Sequence, residues 1–355
     1  MRFLILLLAL IAGNAAAETG VKVGETHRTI TYPGAAVRDA QARALLRITI
    51  WYPAAAGAVE QPIVIGPDGN PIFMIGAAAP DAPFAADRAG TRRPIILLSH
   101  GFGGTARIMG WFGIALARAG YVVVAVDHPG NNGLDPMTVA GALLVWQRAE
   151  DLREALHAAV ADAVIGPHID ATRVGLAGFS LGGLTALVGA GARPDLARLE
   201  RFCAAHSEDG VCKPQREFPV TAAQRAAFEQ DPSHAEVLSH MNDDRAIPHV
   251  RAAFLMAPAV MQALDPAELR HIRIPVSIVL GDGDVVAPPE TNGMVAARAI
   301  PHARLQVMPG VGHYVFLADC APGVDLPFCA PSARRVDPHR AAIAAAERLF
   351  ATALR

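Results

Sequence analysis

The chain has 355 residues, of which 52% are hydrophobic and 18% charged, and its 31 basic and 33 acidic side chains leave a net charge of −2. That much apolar material excludes a globally disordered chain, and basic residues scattered without a cluster argue against a nucleic-acid partner. The length suits two domains or one α/β domain with an insertion, while a mean hydropathy of +0.30 requires the apolar residues to be located before a membrane protein is set aside.

At the N-terminus, Arg2 precedes an apolar run over residues 3–12, followed by Gly13, Asn14 and Ala15-Ala16-Ala17. The run is too short to span a bilayer, and the small residues supply an A-x-A cleavage pattern. Residues 1–17 therefore read as a secretory signal, with cleavage after Ala17 and a periplasmic or secreted mature chain. No later stretch is long and apolar enough for a stable membrane anchor.

Alternation at residues 46–52 predicts a half-buried strand ending at Pro53. Residues 54–93, rich in Gly, Ala and Pro, read as a long surface excursion, with a hairpin inside 62–75 around Gly69-Asn70. Apolar runs at 95–98, 121–126, 174–177, 252–256, 276–280 and 305–308 have the form of strands buried on both faces of a parallel sheet. Helical patterns lie between and after them at 108–119, 138–164, 181–190, 290–299 and 338–354. Within the second of these, Arg148, Glu150, Asp151 and Arg153 read as a solvated, ion-paired face. The repeated alternation predicts an α/β fold with a mostly parallel central sheet and helices on both faces. Residues 194–250 break the rhythm with denser charge, no strand and a capping box at Thr221-Ala222-Ala223-Gln224, and read as a cap or lid insertion.

Cys203 and Cys212 are nine residues apart, as are Cys320 and Cys329. Neighbour pairing would close two short loops suited to an exported protein, although three connectivities are open. Neither a C-x-x-C pair nor an H-E-x-x-H helix is present, so no zinc site is expected.

The strongest chemical signal is Gly178-Phe179-Ser180-Leu181-Gly182-Gly183, placed between a strand and a helix. A serine hydroxyl is a weak nucleophile at neutral pH and must be presented beside a base, which a tight strand-to-helix turn with flanking glycines allows. Two later loops supply candidates for the partners. Residues 276–280 run into Gly281-Asp282-Gly283-Asp284, and residues 305–308 run into Pro309-Gly310-Val311-Gly312-His313. His313 is the expected base and Asp284 the acid that orients it, with Asp282 as the alternative. His100-Gly101-Phe102-Gly103-Gly104 follows the strand at 95–98, and the backbone N–H groups of Phe102 and Leu181 are the candidate oxyanion donors. His100, Trp111, His128, Phe179, Tyr314 and Phe316 are candidate pocket residues, and Asn131-Asn132 falls near the expected mouth. A rival reading takes Gly101 to Ala106 as G-x-G-x-x-A, with Asp127 as a ribose-binding acid, but it leaves Ser180, Asp284 and His313 unexplained.

Together these motifs, with Trp51-Tyr52-Pro53, Asp127-His128-Pro129-Gly130 and the segment from Gly312 to Leu317 before Cys320 and Cys329, resemble the α/β-hydrolase superfamily. Within it they are similar to bacterial dienelactone-hydrolase-like and platelet-activating-factor-acetylhydrolase-like serine esterases. Where dienelactone hydrolases carry a cysteine nucleophile this chain has Ser180, and where acetylhydrolases often have a histidine before the nucleophile it has Phe179. The resemblance implies an α/β-hydrolase fold and an exported serine ester hydrolase working through an acyl-enzyme without metal or organic cofactor. Its substrate would be a small-molecule ester, a lipid or a polyester. A catalytically silent binding protein of the same fold and a cofactor-free perhydrolase or haloperoxidase are the alternatives.

Overall fold

The computed structural model describes residues 20–86, 91–329 and 333–355, so the expected signal at 1–17 lies outside the described residues. The strands are β1 (Lys22–Thr31), β2 (Leu45–Ala54), β3 (Gln61–Ile65), β4 (Phe73–Pro80), β5 (Arg93–Ser99), β6 (Val122–Asp127), β7 (Ile169–Phe179), β8 (Val250–Met256), β9 (Val276–Gly281), β10 (Arg304–Met308) and β11 (Asp319–Cys320). They form one sheet in the order β10-β9-β8-β7-β5-β6-β2-β1-β4-β11, with β3 added on β4. From β6 to β10 every neighbouring pair is parallel. β2 joins β6 and β1 joins β2 in antiparallel register.

The helices are α1 (Gly110–Arg118), α2 (Val139–Leu143), α3 (Arg148–Ala161), α4 (Leu181–Gly189), α5 (Leu196–Ala205), α6 (Ala222–Gln230), α7 (Ala235–Ser239), α8 (Pro266–Leu269), α9 (Gly293–Ala299) and α10 (Ala333–Ala353). Alternate side chains of a strand point to opposite faces, and β5 shows how the layers follow. Ile95 and Leu97 belong to one core cluster with Leu152 of α3, Leu184 of α4 and Ala296 of α9. Ile96 and Leu98 belong to a second cluster with Phe112 of α1 and with Ala346 and Phe350 of α10. Among the described residues, no helix is long and apolar enough to cross a membrane.

Several elements depart from the sequence pattern. β2 is buried along nearly all its length instead of on one face, because α1 and α3 cover it from opposite sides. In the segment after it the expected hairpin is present, β3 and β4 turning through 66–72, but β4 also continues the sheet beside β1, which the reading of a surface excursion did not include. β10 carries apolar letters but closes the sheet edge, leaving Leu305 39% and Val307 37% exposed. The long helix expected over 138–164 is divided into α2, a 3-10 turn at Val145–Gln147, and α3. Leu143, Leu144, Val145 and Trp146 are all buried, which one regular helix with a single inward face does not achieve.

The segment between α4 and β8 contributes α5, α6 and α7 but no sheet strand. The capping box of Thr221 and Gln224 starts α6. Disulfides join Cys203 to Cys212 in this insertion and Cys320 to Cys329 near the chain's last helix.

Candidate active site

β5 lies between β6 and β7, and the chain leaves β5 toward one side of the sheet before returning to the other. Such a reversal opens a crevice at the carboxyl ends of the strands. β7 ends at Phe179 and α4 begins at Leu181, so Ser180 alone makes the turn, at φ 55° and ψ −120°. That conformation costs a side-chain-bearing residue about 1–3 kcal/mol and survives only where its surroundings impose it. Here the Ser180 N–H donates to the Met256 carbonyl at 2.9 Å, while the Ser180 carbonyl accepts from Gly183 at 2.8 Å and Ala259 at 3.0 Å. The flanking glycines are required by close approach: a Cβ on Gly178 would overlap the Gly182 carbonyl, and one on Gly182 the Ser99 carbonyl.

The loops after β9 and β10 bring Asp284 and His313 to the same place. The Ser180 hydroxyl donates to His313 Nε2 at 2.9 Å, and His313 Nδ1–H donates to Asp284 Oδ2 at 2.6 Å. The other oxygen of Asp284 accepts the N–H groups of Val286 at 2.9 Å and Ala287 at 2.8 Å. All three side chains are buried to within a few per cent. Asp282, the alternative acid, instead accepts the Gly310 N–H at 2.6 Å and steadies the histidine loop. A short 3-10 turn, His313–Phe316, carries the imidazole. Its carbonyls are tied down by two side chains, Trp111 Nε1–H to Phe316 at 3.2 Å and His339 Nε2–H to Val315 at 2.8 Å, while Arg335 holds Leu317 and Ala318, both at 2.7 Å.

The loop after β5 approaches Ser180 so closely that a Cβ on Gly101 would sit 3.2 Å from the Ser180 Cβ. Among the described residues neither the Phe102 nor the Leu181 N–H has a protein acceptor, so both are available to a ligand. Neighbouring amides in the loop are spoken for. Gly103 donates to Asn131 Oδ1 at 2.9 Å, and Ala106 donates to Asp127 at 2.8 Å. Asp127 is thus buried beneath its own loop, which removes the ribose contact that a dinucleotide fingerprint requires.

A family model described as the alpha/beta hydrolase family matches residues 95–325. The chain belongs to that family. Cutinase est2 of Thermobifida alba is 36% identical over 103 residues, a stretch covering 28% of this α/β hydrolase and 31% of that protein. The chain thus aligns with about a third of the length of this curated relative. A solved structure of a ferulic acid esterase from Streptomyces cinnamoneus superposes with a TM-score of 0.60 at 20% identity, covering 96% of this chain and 92% of that one, which supports the fold.

Behind the loop after β5 the α/β hydrolase carries a buried polar network that corrects the expected solvated face on α3. Arg148 and Asp151 are 1% and 0% exposed. Arg38 grips Asp151 with two bonds of 2.8 and 2.6 Å, and His128 Nδ1–H donates to the same carboxylate at 2.8 Å. The Ser99 hydroxyl donates to His128 Nε2 at 2.9 Å, and Arg148 reaches Thr185 at 3.1 Å and the His100 carbonyl. Burial first, and then the Arg148 charge, push the pKa of both His100 and His128 well below the ordinary histidine value, so both are neutral spacers. Spacing gave a usable signal for this network: Arg148 shares a 3–4 residue stripe with Leu152, Ala155 and Ala159, all buried.

The same burial corrects most of the expected pocket residues. His100 and His128 belong to the network, Phe179 is buried beside the His313 ring with Phe316 buried against Phe179, and Trp111 stacks on His339 at 3.7 Å between ring centres. Tyr314 lines an open cleft, its hydroxyl donating to Glu217 at 3.3 Å. The cavity that opens on Ser180 has a volume of 410 Å³, and its walls include Phe102, Leu143, Val145 and Leu181, with Leu199 and Phe218 contributed by the insertion. A broader cleft runs along the His313 loop, Tyr314 and Phe328. Residues 213–215 and Val286 border both spaces.

Proposed function

We propose that this α/β hydrolase cleaves carboxylic esters through an acyl-enzyme on Ser180. The observation that carries the reading is the pair of contacts on one imidazole, 2.9 Å to the serine hydroxyl and 2.6 Å to a buried carboxylate. In the first half-reaction Ser180 Oγ attacks the ester carbonyl carbon while its proton passes to His313 Nε2. Asp284 holds the imidazole in the tautomer that can accept it and stabilises the imidazolium that results. The carbonyl oxygen becomes an anion facing the free N–H groups of Phe102 and Leu181, donors of a kind whose individual loss costs about 2.7–4 kcal/mol in other enzymes. As the tetrahedral adduct collapses, the carbon–oxygen bond to the alcohol breaks and His313 returns its proton to the leaving oxygen. Water then repeats the sequence on the acyl-enzyme, releasing the acid and restoring Ser180.

Export completes the reading. Two disulfides suit an oxidising compartment, and a signal at residues 1–17 would deliver the chain there. The insertion between α4 and β8 serves as a cap over the nucleophile, since its residues wall the cavity on Ser180.

The mechanism is tested with Ser180→Ala and a fluorophosphonate probe. Wild type should hydrolyse p-nitrophenyl esters and gain a single adduct on Ser180, and the variant should lose both properties. Turnover at the wild-type rate in Ser180→Ala would falsify the mechanism, and an unlabelled, inactive wild type would favour the silent binding protein. Intact mass of the exported chain, expected to begin at Glu18, tests the signal.

A further inference from the structure

Two neighbouring spaces, one walled by Ser180 and the other by His313, differ in a way that assigns the halves of the substrate. This inference rests on the serine mechanism above. The leaving oxygen must come within hydrogen-bond reach of His313 Nε2, because that nitrogen returns the proton. The acyl chain, attached to the same carbon, then points away from the imidazole. The broad cleft has His313 but not Ser180 in its wall, whereas the 410 Å³ cavity has Ser180, Phe102 and Leu181 but not His313. We propose that the cavity is an acyl site for medium-length apolar chains, with its outer limit set by the insertion, and that the alcohol half faces a cleft that places little restriction on its size.

The lining supports an aliphatic acyl group. Leu143, Val145, Leu199, Phe218 and Val260 present carbon to the space, while of its charged residues Glu200 and Arg225, 3.4 Å apart, pair with each other and Lys213 stands where the cavity borders the cleft. Val260 is a β-branched residue held at φ 64°, a conformation that such residues avoid, and it is presented to the cavity one residue beyond the Ala259 N–H that binds the Ser180 carbonyl. A cavity of about 150 Å³ holds one benzene, so 410 Å³ accommodates an acyl chain on the order of eight to twelve carbons and leaves an acetyl group with most of the wall unfilled. The limit is structural, because the insertion that supplies Leu199 and Phe218 is tied by the Cys203–Cys212 disulfide and by the Asp209 carboxylate, which accepts the Thr291 hydroxyl at 2.7 Å.

The test uses two ester series on the full exported chain. In the first, p-nitrophenol is constant and the acyl group runs from acetyl through butanoyl, octanoyl and dodecanoyl to hexadecanoyl. We expect kcat/KM to rise by up to about fourfold per buried methylene as far as octanoyl, and to fall beyond dodecanoyl. In the second, octanoyl is constant and the alcohol is methanol, hexanol or glycerol, with less than about tenfold variation expected. Ala142→Phe, which places a ring into the cavity, should lower the octanoyl-to-acetyl ratio at least tenfold. Leu199→Ala should move the optimum to longer chains. A flat acyl profile, an alcohol series steeper than the acyl series, or unchanged ratios in both variants overturns the assignment while labelling of Ser180 persists. Loss of labelling in wild type overturns the serine mechanism and the acyl site together.

Discussion

The guanidinium of Arg148 donates to the carbonyl of His100, so a buried cation on α3 holds the first residue of the loop that carries Phe102. Arg148 also bonds Thr185 on the helix that begins at the nucleophile, at 3.1 Å, and reaches Asn131 at 3.4 Å. Asn131 in turn takes the Gly103 N–H. The two backbone donors proposed for the oxyanion, on separate loops, are therefore braced from one side chain.

That bracing predicts a kinetic signature. Asn131→Ala frees the Gly103 amide and lets the loop drift, while Arg148→Met removes the brace and leaves Asp151 paired with Arg38 and His128. Displacements of about 1 Å at such a site cost up to 10²-fold, so kcat should fall between roughly tenfold and a hundredfold with KM nearly constant. Steady-state kinetics beside a denaturation curve separates this from simple unfolding. A raised KM at unchanged kcat in both variants would show that the loop serves binding alone.

The second prediction concerns Gly210, where a Cβ would overlap the carbonyls of Val285 and Val286. Those residues follow Asp284, whose Oδ1 depends on the Val286 and Ala287 amides. Gly210→Ala should thus push the insertion against the acid loop, costing about 1–3 kcal/mol of stability and lowering kcat on the order of tenfold. Thr291→Val, which only removes the bond to Asp209, should do less. Equal activity of Gly210→Ala and wild type would mean that the insertion and the Asp284 loop move independently.

The parts legible in the sequence are those where a backbone requirement and a chemical one coincide. Ser180 between two glycines, at the end of one apolar run and the start of a helix, has few other uses, and the loops holding Asp284 and His313 follow strands of the same kind. Other positions are poorly marked because residue type is a weak guide to position. Arg148 and Asp151 look like surface charges, yet they lie at the centre of the protein because Arg38, from a distant segment, neutralises Asp151. β1, with the sequence KVGETHRTIT, shows no alternation but is fixed by ten residues of pairing with β2. β10 has the letters of a core strand and the position of an edge. The histidines at 100 and 128 stand at the ends of strands beside the nucleophile, where ligands bind, but their rings turn inward to complete the network.

Strain at Ser180 gives a third prediction. Ser180 occupies φ 55°, ψ −120°, a conformation open to glycine without steric cost. Ser180→Gly should therefore abolish ester hydrolysis and stabilise the fold by about 1 kcal/mol, the relief of strain exceeding the extra flexibility gained by the unfolded chain. Ser180→Ala, inactive for the same reason, keeps the strain and should not share the gain. Urea midpoints of the three proteins decide the matter, and a Ser180→Gly midpoint below that of Ser180→Ala would show the turn to be unstrained.

The last prediction is acid sensitivity at His339. Burial pushes its pKa down to about 4, with the bond to Val315 opposing the shift and the Arg335 charge adding to it. The folded protein therefore keeps His339 neutral at pH values where the unfolded chain has already protonated it, near pH 6.5. Between these values the unfolded state binds more protons, so stability falls as pH drops from about 6.5 to about 4 and the loss levels off below that. At pH 4.5 the effect of this one group amounts to about 2–3 kcal/mol. His339→Gln keeps an N–H for the Val315 carbonyl but does not titrate. Its stability difference between pH 7 and pH 4.5 should be smaller than wild type by that amount, with the contributions of His100 and His128 common to both proteins and cancelling in the comparison. Because Val315 lies in the turn that carries His313, the variant should also retain more activity after incubation at pH 4.5 and assay at pH 7. Identical acid profiles for the two proteins would show that His339 is no source of the sensitivity.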